Sequence, residues 1–255
     1  MNPFETHGLN HLSASQINLF IAEPALWVAQ YLYGVKGSFG FAAKRGISVE
    51  RGIEHGLFNP DAPIQDCVDI AVNDFTFKNA FLKDPKKDKE LDGIPGMVQI
   101  ALEELRKYGT PEEAEGHQHK IVVDLDGIEV PILGYLDFYF PNHGIIVDLK
   151  TTLRLMPGIR AAHARQGAIY SRAYGDNVDM RFAYVTPKKQ GVYSMDTDAV
   201  RTSWNEVQNV AVRIRNFLSV SKNKDDLASI VVPNYDSFYW NDPAVRQAGR
   251  DIFGF

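Results

Sequence analysis

The sequence contains little cysteine and lacks a long apolar run. Its single cysteine, Cys67, excludes an internal disulfide and a four-cysteine iron–sulfur cluster. No apolar stretch is long enough to cross a membrane as a helix, and the first residues do not have the basic and apolar pattern of a signal peptide. We therefore expect a soluble cytoplasmic protein with no membrane partner.

The sequence also has no excess of positive charge. It contains 27 Lys and Arg residues and 32 Asp and Glu residues, which gives a formal net charge of −5. A negative total weakens long-range attraction to a polyanion. It does not exclude a nucleic-acid enzyme, since metal-binding carboxylates add negative charge while local basic residues contact phosphates. The 255 residues are 45% hydrophobic and 23% charged, which is typical of a globular enzyme. We expect one domain over residues 1–255.

Two β-type segments flank a Pro-Asn-His-Gly turn signal. Residues 135–140 and 145–151 are apolar, aromatic or β-branched in alternation, which predicts a hairpin. Pairing that is symmetric about the turn places Asp137 opposite Asp148, with Lys150 on the same face. The other face should pack on the core through Leu136, Phe138, Val147 and Leu149. Opposed Cβ atoms lie about 4.5–5.5 Å apart, and like charges there are destabilising. The two carboxylates therefore need protons or a hard cation such as Mg²⁺.

Three short motifs follow one another in this region. They are Gly134-Tyr-Leu-Asp137, Asp148-Leu-Lys150 and Gln166-Gly-Ala-Ile-Tyr170. Their order and spacing resemble the G-x-x-D, (D/E)-x-K and Q-x-x-x-Y signature of the PD-(D/E)XK nuclease superfamily. The resemblance is strongest to RecB-like exonucleases and CRISPR-associated spacer-acquisition nucleases. A lone D-x-K triplet occurs by chance in most proteins, whereas the ordered combination is specific. The single cysteine places the resemblance with members that lack an iron–sulfur cluster, bacterial or phage-encoded.

The N-terminal region is similar to the same family. A Ser-rich helix start is followed by a proline and an aromatic run, within a predicted helical segment over residues 12–34. Ser13 and Gln16 also fit a capping box, and Leu12 with Ile17 fits a hydrophobic staple.

A predicted helix over residues 43–57 carries a further family element. Arg45-Gly46 followed by Glu50 resembles the element that supplies a metal ligand from a helix. Glu54 and His55 lie close to it in the sequence, so the third ligand stays open among these residues, with Glu50 expected.

The resemblance implies an α/β (α+β) fold with a restriction-endonuclease-like core. Its central mixed β-sheet is flanked by helices and carries a helical insertion at residues 58–116. The implied activity is metal-dependent DNA exonuclease activity in recombination, repair or phage DNA processing. One or two Mg²⁺ or Mn²⁺ ions would be held by Glu50, Asp137, Asp148 and the Leu149 carbonyl. Lys150 would position the attacking water, with Gln166 and Tyr170 in supporting roles.

Several basic residues are expected to contact DNA, in single- or double-stranded ends: Arg45, Arg154, Arg160, Lys188 and Lys189. A further copy of the chain, or a recombination or replication protein, could also bind. Upstream of the proposed hairpin, the sequence predicts strands over residues 120–125 and 128–133, joined by an Asp126-Gly127 turn.

Three other functions stay open from the sequence. A site-specific or structure-specific endonuclease of the same superfamily would use the same residues. An inactive DNA-binding member would lack catalysis, although each chemically required residue type is present. A zinc hydrolase could use His117 and His119 with a remote carboxylate, but no third ligand is evident.

Overall fold

The computed structural model describes residues 2–114, 118–175 and 177–254. The helices in these ranges are α1 (Pro3–Thr6), α2 (Ala14–Ala22), α3 (Pro24–Tyr31), α4 (Phe41–Phe58), α5 (Ile64–Lys78), α6 (Pro85–Leu105), α7 (Ala161–Tyr174), α8 (Thr197–Leu218), α9 (Lys224–Ser229) and α10 (Pro243–Phe253). The strands are β1 (His119–Val123), β2 (Ile132–Leu136), β3 (Phe138–Phe140), β4 (Ile145–Thr151), β5 (Asp179–Val185) and β6 (Gln190–Ser194). Short 3₁₀ helices cover Arg106–Tyr108 and Phe238–Trp240. None of the described helices is both long and apolar enough to cross a membrane.

A four-stranded mixed sheet forms the centre of the molecule, in the order β3-β4-β5-β6. The β3–β4 and β5–β6 pairs are antiparallel, and β4–β5 is parallel because α7 carries the chain back across the sheet. Helices pack on both faces of this sheet. The predicted α/β fold class, a mixed sheet flanked by helices, is confirmed.

Alternating residues of β4 separate two hydrophobic clusters. Ile146 faces the cluster built mainly with α2, α7 and α8, whereas Val147 and Leu149 face the cluster built with α4, α5 and α6. The segment predicted as a helical insertion thus covers one face of the sheet. Burial on both faces explains why the first three residues of β4, Ile145–Val147, are all apolar and do not alternate with polar ones.

The predicted strand over residues 135–140 is wrong as one element. The chain bends at Asp137, so that β2 pairs with β1 in a separate two-stranded sheet and β3 pairs with β4. Leu136 accordingly packs in the cluster with α7, while Phe138 packs in the opposite one. The expectation that both share a face is therefore also wrong. The hairpin register is nevertheless as predicted, since Phe138 pairs with Val147.

The predicted Asp-Gly hairpin is wrong as well. Val123 pairs with Ile132, so the connection between β1 and β2 is a longer loop in which Asp126-Gly127 is only one turn. Residues 128–131 belong to this loop and are not a strand, and the edge of β2 opposite β1 is occupied by the N-terminal segment. The Leu12 N–H donates to the Pro131 carbonyl at 2.9 Å, and the Leu133 N–H donates to the Leu12 carbonyl at 2.9 Å.

The predicted helix start at Ser13 is confirmed. Its hydroxyl accepts a hydrogen bond from the Gln16 N–H at 3.2 Å, which satisfies one of the unpaired donors of the first turn of α2. Leu12 and Ile17 are fully buried in the same cluster, as the hydrophobic staple requires.

Candidate active site

The break between β2 and β3 positions the first carboxylate. At this point β4 extends beyond β3, and the Leu149 N–H donates to Asp137 Oδ2 at 2.8 Å instead of to a strand partner. The Leu149 carbonyl faces the same strand edge, because the N–H and C=O of one strand residue point to the same side. The Asp137 side chain therefore lies over the exposed edge of β4, near the Leu149 carbonyl.

The second carboxylate, Asp148, is almost completely buried, with 1% of its surface exposed. Lys150 follows two residues later on the same face of β4, and its Nζ lies 2.5 Å from Asp148 Oδ1. The same Nζ donates to Gln166 Oε1 at 3.1 Å. An ammonium group thus stands between a buried carboxylate and the helix that packs over it.

Helix α7 supplies two of the predicted site residues. Gln166 and Tyr170 lie one turn apart, and Gln166 Nε2 donates to the Tyr170 hydroxyl at 2.6 Å. The Tyr170 hydroxyl donates in turn to the Tyr135 carbonyl at 2.6 Å. This chain of hydrogen bonds connects Lys150 to β2, just before Asp137.

Gly134, the first residue of the G-x-x-D motif, is required by close packing. A Cβ at this position would lie 3.0 Å from both a Tyr170 ring carbon and the Ile121 side chain. A larger residue would push α7 away from β2, and with it the hydrogen bond from the Tyr170 hydroxyl.

The third carboxylate comes from α4. Gln118 Nε2 donates to Glu50 Oε1 at 2.7 Å and to Asp137 Oδ1 at 3.3 Å, so one amide group bridges the two acids. Glu54 and His55 instead line a neighbouring cavity of about 490 Å³, which Asp137 also borders. Of the residues left open by the sequence, Glu50 is thus the one whose carboxylate shares a hydrogen-bond donor with Asp137.

Burial raises the pKa values of both aspartates, and nearby charges add to or oppose this effect. Burial and the nearby charges of Asp148 and Glu50 raise the pKa of Asp137 well above its usual range. Burial also raises the pKa of Asp148, although Lys150 opposes the shift. Burial alone would lower the pKa of Lys150, but the two aspartates overcome it and raise the value. The site is short of positive charge, which is the condition that a divalent cation relieves.

These shifts predict that the metal-free protein loses stability as the pH rises. Between the ordinary carboxyl pKa of about 3.9 and the raised values, the folded state binds more protons than the unfolded state, so the free energy of unfolding falls with pH. We expect the free energy of unfolding of wild type, minus that of Asp137→Asn, to fall as the pH rises from 4 to 8. Urea unfolding in EDTA measures both free energies. Taking their difference removes the contributions of other titrating groups. A difference that is flat or rises with pH would contradict the assignment.

Four predicted DNA contacts are exposed at the rim of the site or near it. Arg160 borders a cavity of about 400 Å³ together with Glu50, Asp137 and Lys150. Arg154, Lys188 and Lys189 border a second cavity of about 480 Å³ between the end of β4 and the β5–β6 turn.

The prediction that Arg45 contacts DNA is wrong. It is 3% exposed and forms an ion pair with Glu90 of α6, while its Nη2 donates to the Thr151 carbonyl at 3.1 Å. Its guanidinium therefore fastens α4 to α6 and to the end of β4, and it is not available to a phosphate.

Two residues of the site, Gln118 and His163, are not predicted from the sequence. Gln118 precedes β1 and carries no motif. His163 lies one turn before Gln166 on α7, and that spacing could have indicated it. Its Nδ1 is 2.7 Å from the Tyr184 hydroxyl, and burial, with Lys150 and Arg160 adding to the effect, lowers its pKa to about 4. His163 is therefore neutral at physiological pH and borders the same cavity as Lys150.

The structure does not support the alternative zinc site at His119. His117 lies outside the described residues. The ring of His119 has its Nε2 2.9 Å from the Glu112 carbonyl. In the described ranges, no three His, Cys, Asp or Glu side chains are placed so that together they could hold a metal ion, and this includes Glu50, Asp137 and Asp148. Polar side chains bond to the acids near Asp137. The Gln118 amide bonds to Glu50 and Asp137, and Lys150 pairs with Asp148.

The bridging role of Gln118 gives a testable expectation. Gln118→Ala should lower the free energy of unfolding of the metal-free protein by about 1–3 kcal/mol, because two carboxylates lose their donor. Added Mn²⁺ should restore more stability in the variant than in wild type, since the space between Glu50 and Asp137 is then open to a cation. Melting temperatures with EDTA and with Mn²⁺ measure both effects. Gln247→Ala, which removes an exposed amide bonded to Asp251, is the matched control. An identical Mn²⁺ response in wild type and Gln118→Ala would contradict this interpretation.

Comparison with known proteins gives similarity at the level of the fold. The chain matches no protein-family model, and no curated protein sequence is significantly similar to it. Among solved structures, it is similar to the crystal structure of a protein from Eubacterium rectale named "putative exonuclease". The TM-score is 0.57, the sequences are 16% identical, and the similarity covers 81% of this chain and 82% of that chain. At this identity, the similarity shows a shared fold.

Proposed function

We propose that this protein is a Mg²⁺- or Mn²⁺-dependent deoxyribonuclease of the PD-(D/E)XK superfamily, and that it acts as an exonuclease in the manner of RecB-like enzymes without an iron–sulfur cluster. The observation that carries the proposal is that Asp137 is bonded to β4 at Leu149, close enough to Asp148 for their charges to interact, with Lys150 paired to the buried Asp148. The shared fold with a protein named as an exonuclease supports it.

The donor types present suit a hard divalent cation, which would have to displace the Gln118 amide from between Glu50 and Asp137. Asp137, Asp148 and Glu50 offer carboxylate oxygens, and the Leu149 carbonyl faces the same edge as Asp137, which together match the oxygen ligands that Mg²⁺ and Mn²⁺ prefer. The proposal is supported by the raised pKa of Asp137, which burial and the charges of Asp148 and Glu50 cause and which Lys150 only partly opposes. When bound, such an ion lowers the pKa of water and shields charge on phosphate.

Lys150 is the residue that acts on the reacting phosphate. Its ammonium group reaches the cavity with 24% of the side chain exposed, while Asp148 and Gln166 fix its position. There it would orient the attacking water and stabilise negative charge on the phosphate oxygens as the bond to the leaving oxygen breaks. Gln166 and Tyr170 act as positioning residues, because they contact Lys150 and the backbone before Asp137.

Exposed cations would contact the DNA backbone. Arg160 is at the rim of the cavity that Lys150 borders, and Arg154, Lys188 and Lys189 border a separate cavity beyond the end of β4. They would compensate locally for the net negative charge of the chain by pairing with phosphates.

Incubation of the purified chain with end-labelled linear DNA tests the proposal. We expect degradation with Mg²⁺ or Mn²⁺, none in EDTA, and release of label from linear DNA while closed circular DNA persists. Cutting of circular DNA would favour an endonuclease of the same superfamily. Binding of DNA without metal-dependent cutting would indicate an inactive member and contradict the enzyme assignment.

A further inference from the structure

The two-stranded β1–β2 sheet has an unusual outer face. Its inner residues are buried against α7 and the N-terminal segment, whereas Val122 is 57% exposed and Tyr135 is 51% exposed. Lys120 pairs with Tyr135, and Val122 pairs with Leu133, so these four residues share the outward face. We name Lys120, Val122, Leu133 and Tyr135 the outer β1–β2 face. It presents an aromatic ring and a cation side by side.

The backbone beneath this face is held firmly. The Tyr135 carbonyl accepts the Tyr170 hydroxyl at 2.6 Å, and β2 is bonded to β1 on one edge and to Leu12 on the other. The Tyr135 ring is therefore presented from a fixed position, which lowers the entropy lost when a ligand stacks on it.

Two residues of the outer β1–β2 face border a cavity that the candidate active site also borders. This cavity, of about 560 Å³, is lined by Leu133 and Tyr135 and also by Asp137, Gln118, Gln166 and Tyr170. Only Leu136 separates Tyr135 from Asp137 in the sequence, so a nucleotide bound on the ring would lie close to the carboxylates.

From this placement we infer that the outer β1–β2 face binds unpaired nucleotides of a single-stranded nucleic acid, with a base stacked on Tyr135 and a phosphate paired with Lys120. Base stacking on exposed aromatic rings beside cations is the usual way in which proteins bind single strands. A base inside a duplex cannot offer its face to Tyr135, so the inference specifies single-stranded ends as substrate. Only the direction of the bound nucleic-acid strand toward Asp137 rests on the proposed function, and the binding itself needs no metal.

Fluorescence anisotropy in EDTA tests the binding without cleavage. The probes are a labelled single-stranded oligonucleotide of about 12 nucleotides, within the usual site size, and a blunt duplex of the same sequence. We expect Tyr135→Ala to raise the Kd for the single strand about 10- to 100-fold and to change duplex binding little. Tyr135→Phe keeps the ring and should bind as wild type does. Lys120→Gln should reduce the slope of log Kd against log salt by about 0.7.

Two control variants test whether the effects are specific to the outer β1–β2 face. Phe238→Ala removes another exposed ring, and Lys222→Gln another exposed cation, both away from β1 and β2. Both should leave Kd and the salt slope unchanged.

The outcomes for the two proposals are distinguishable. An unchanged Kd in Tyr135→Ala, or no binding of the single strand by wild type, overturns the inference even if the chain cuts DNA. Equal weakening of single-strand and duplex binding overturns the preference for unpaired bases. A dimer that Tyr135→Ala dissolves would make the face a self-association surface and overturn the inference too. Single-strand binding that depends on Tyr135 in a chain without metal-dependent cleavage would support the inference and contradict the proposed function.

Discussion

Replacing Lys150 with alanine is expected to lower the rate of DNA hydrolysis at saturating Mn²⁺ by about 10²- to 10³-fold, an effect of about 2.7–4 kcal/mol on the barrier. The physical reason is the position of its Nζ, 2.5 Å from Asp148 Oδ1 and 3.1 Å from Gln166 Oε1, at a cavity that Glu50 and Asp137 also border. Initial rates on end-labelled linear DNA measure the loss. The ligand carboxylates remain, so Mn²⁺ should still raise the melting temperature of the variant.

Controls distinguish loss of catalysis from loss of folding. Lys150→Ala leaves Asp148 buried without its ammonium partner, which costs stability, so circular dichroism must show an intact fold. Lys222→Ala removes an exposed lysine and should cut like wild type. Lys150→Ala cutting at the wild-type rate would show that the reacting phosphate does not meet this residue.

Replacing Asp137 with asparagine should have opposite effects on catalysis and on stability. Cleavage should fall at least about 100-fold and Mn²⁺ should no longer raise the melting temperature, because a central carboxylate ligand is lost. The metal-free variant should nevertheless be more stable than wild type at pH 8. Asparagine can still accept the Leu149 N–H, while the repulsion from Asp148 and Glu50 that raises the pKa of Asp137 is removed.

Titration calorimetry with Mn²⁺ and thermal unfolding in EDTA measure these two effects. Asp236→Asn, which neutralises an exposed acid, is the matched control and should change neither. A wild-type calorimetric isotherm for Asp137→Asn, or a metal-free variant less stable than wild type, would contradict the account of the site.

The strand that carries the second acid could be predicted from the sequence, and the break before the first could not. β4 has the predicted bounds because its apolar and β-branched residues favour a buried strand and a turn signal precedes it. Nothing local in residues 135–140 marks a break. The bend at Asp137 arises from long-range competition: β2 pairs with β1, and the Asp137 carboxylate takes the Leu149 N–H.

Long-range contacts also explain what was missed at the site. Gln118 bonds to acids that are 68 and 19 positions away, so no local pattern indicates it. Arg45 fits a family motif, but the sequence does not show that Glu90 approaches it from α6. By contrast, Gln166 and Tyr170 could be placed together from helical spacing alone, and their hydrogen bond has that arrangement.

The central claim is that a divalent cation reconciles Asp137 with the acids around it. Anomalous diffraction from a crystal grown with Mn²⁺ measures this directly. The account predicts a manganese peak within about 2.0–2.4 Å of oxygens from Asp137 and Asp148, with the Gln118 amide displaced from between Glu50 and Asp137. A crystal that contains Mn²⁺ but shows no peak there, with the Gln118 amide still bonded to both acids, would contradict it.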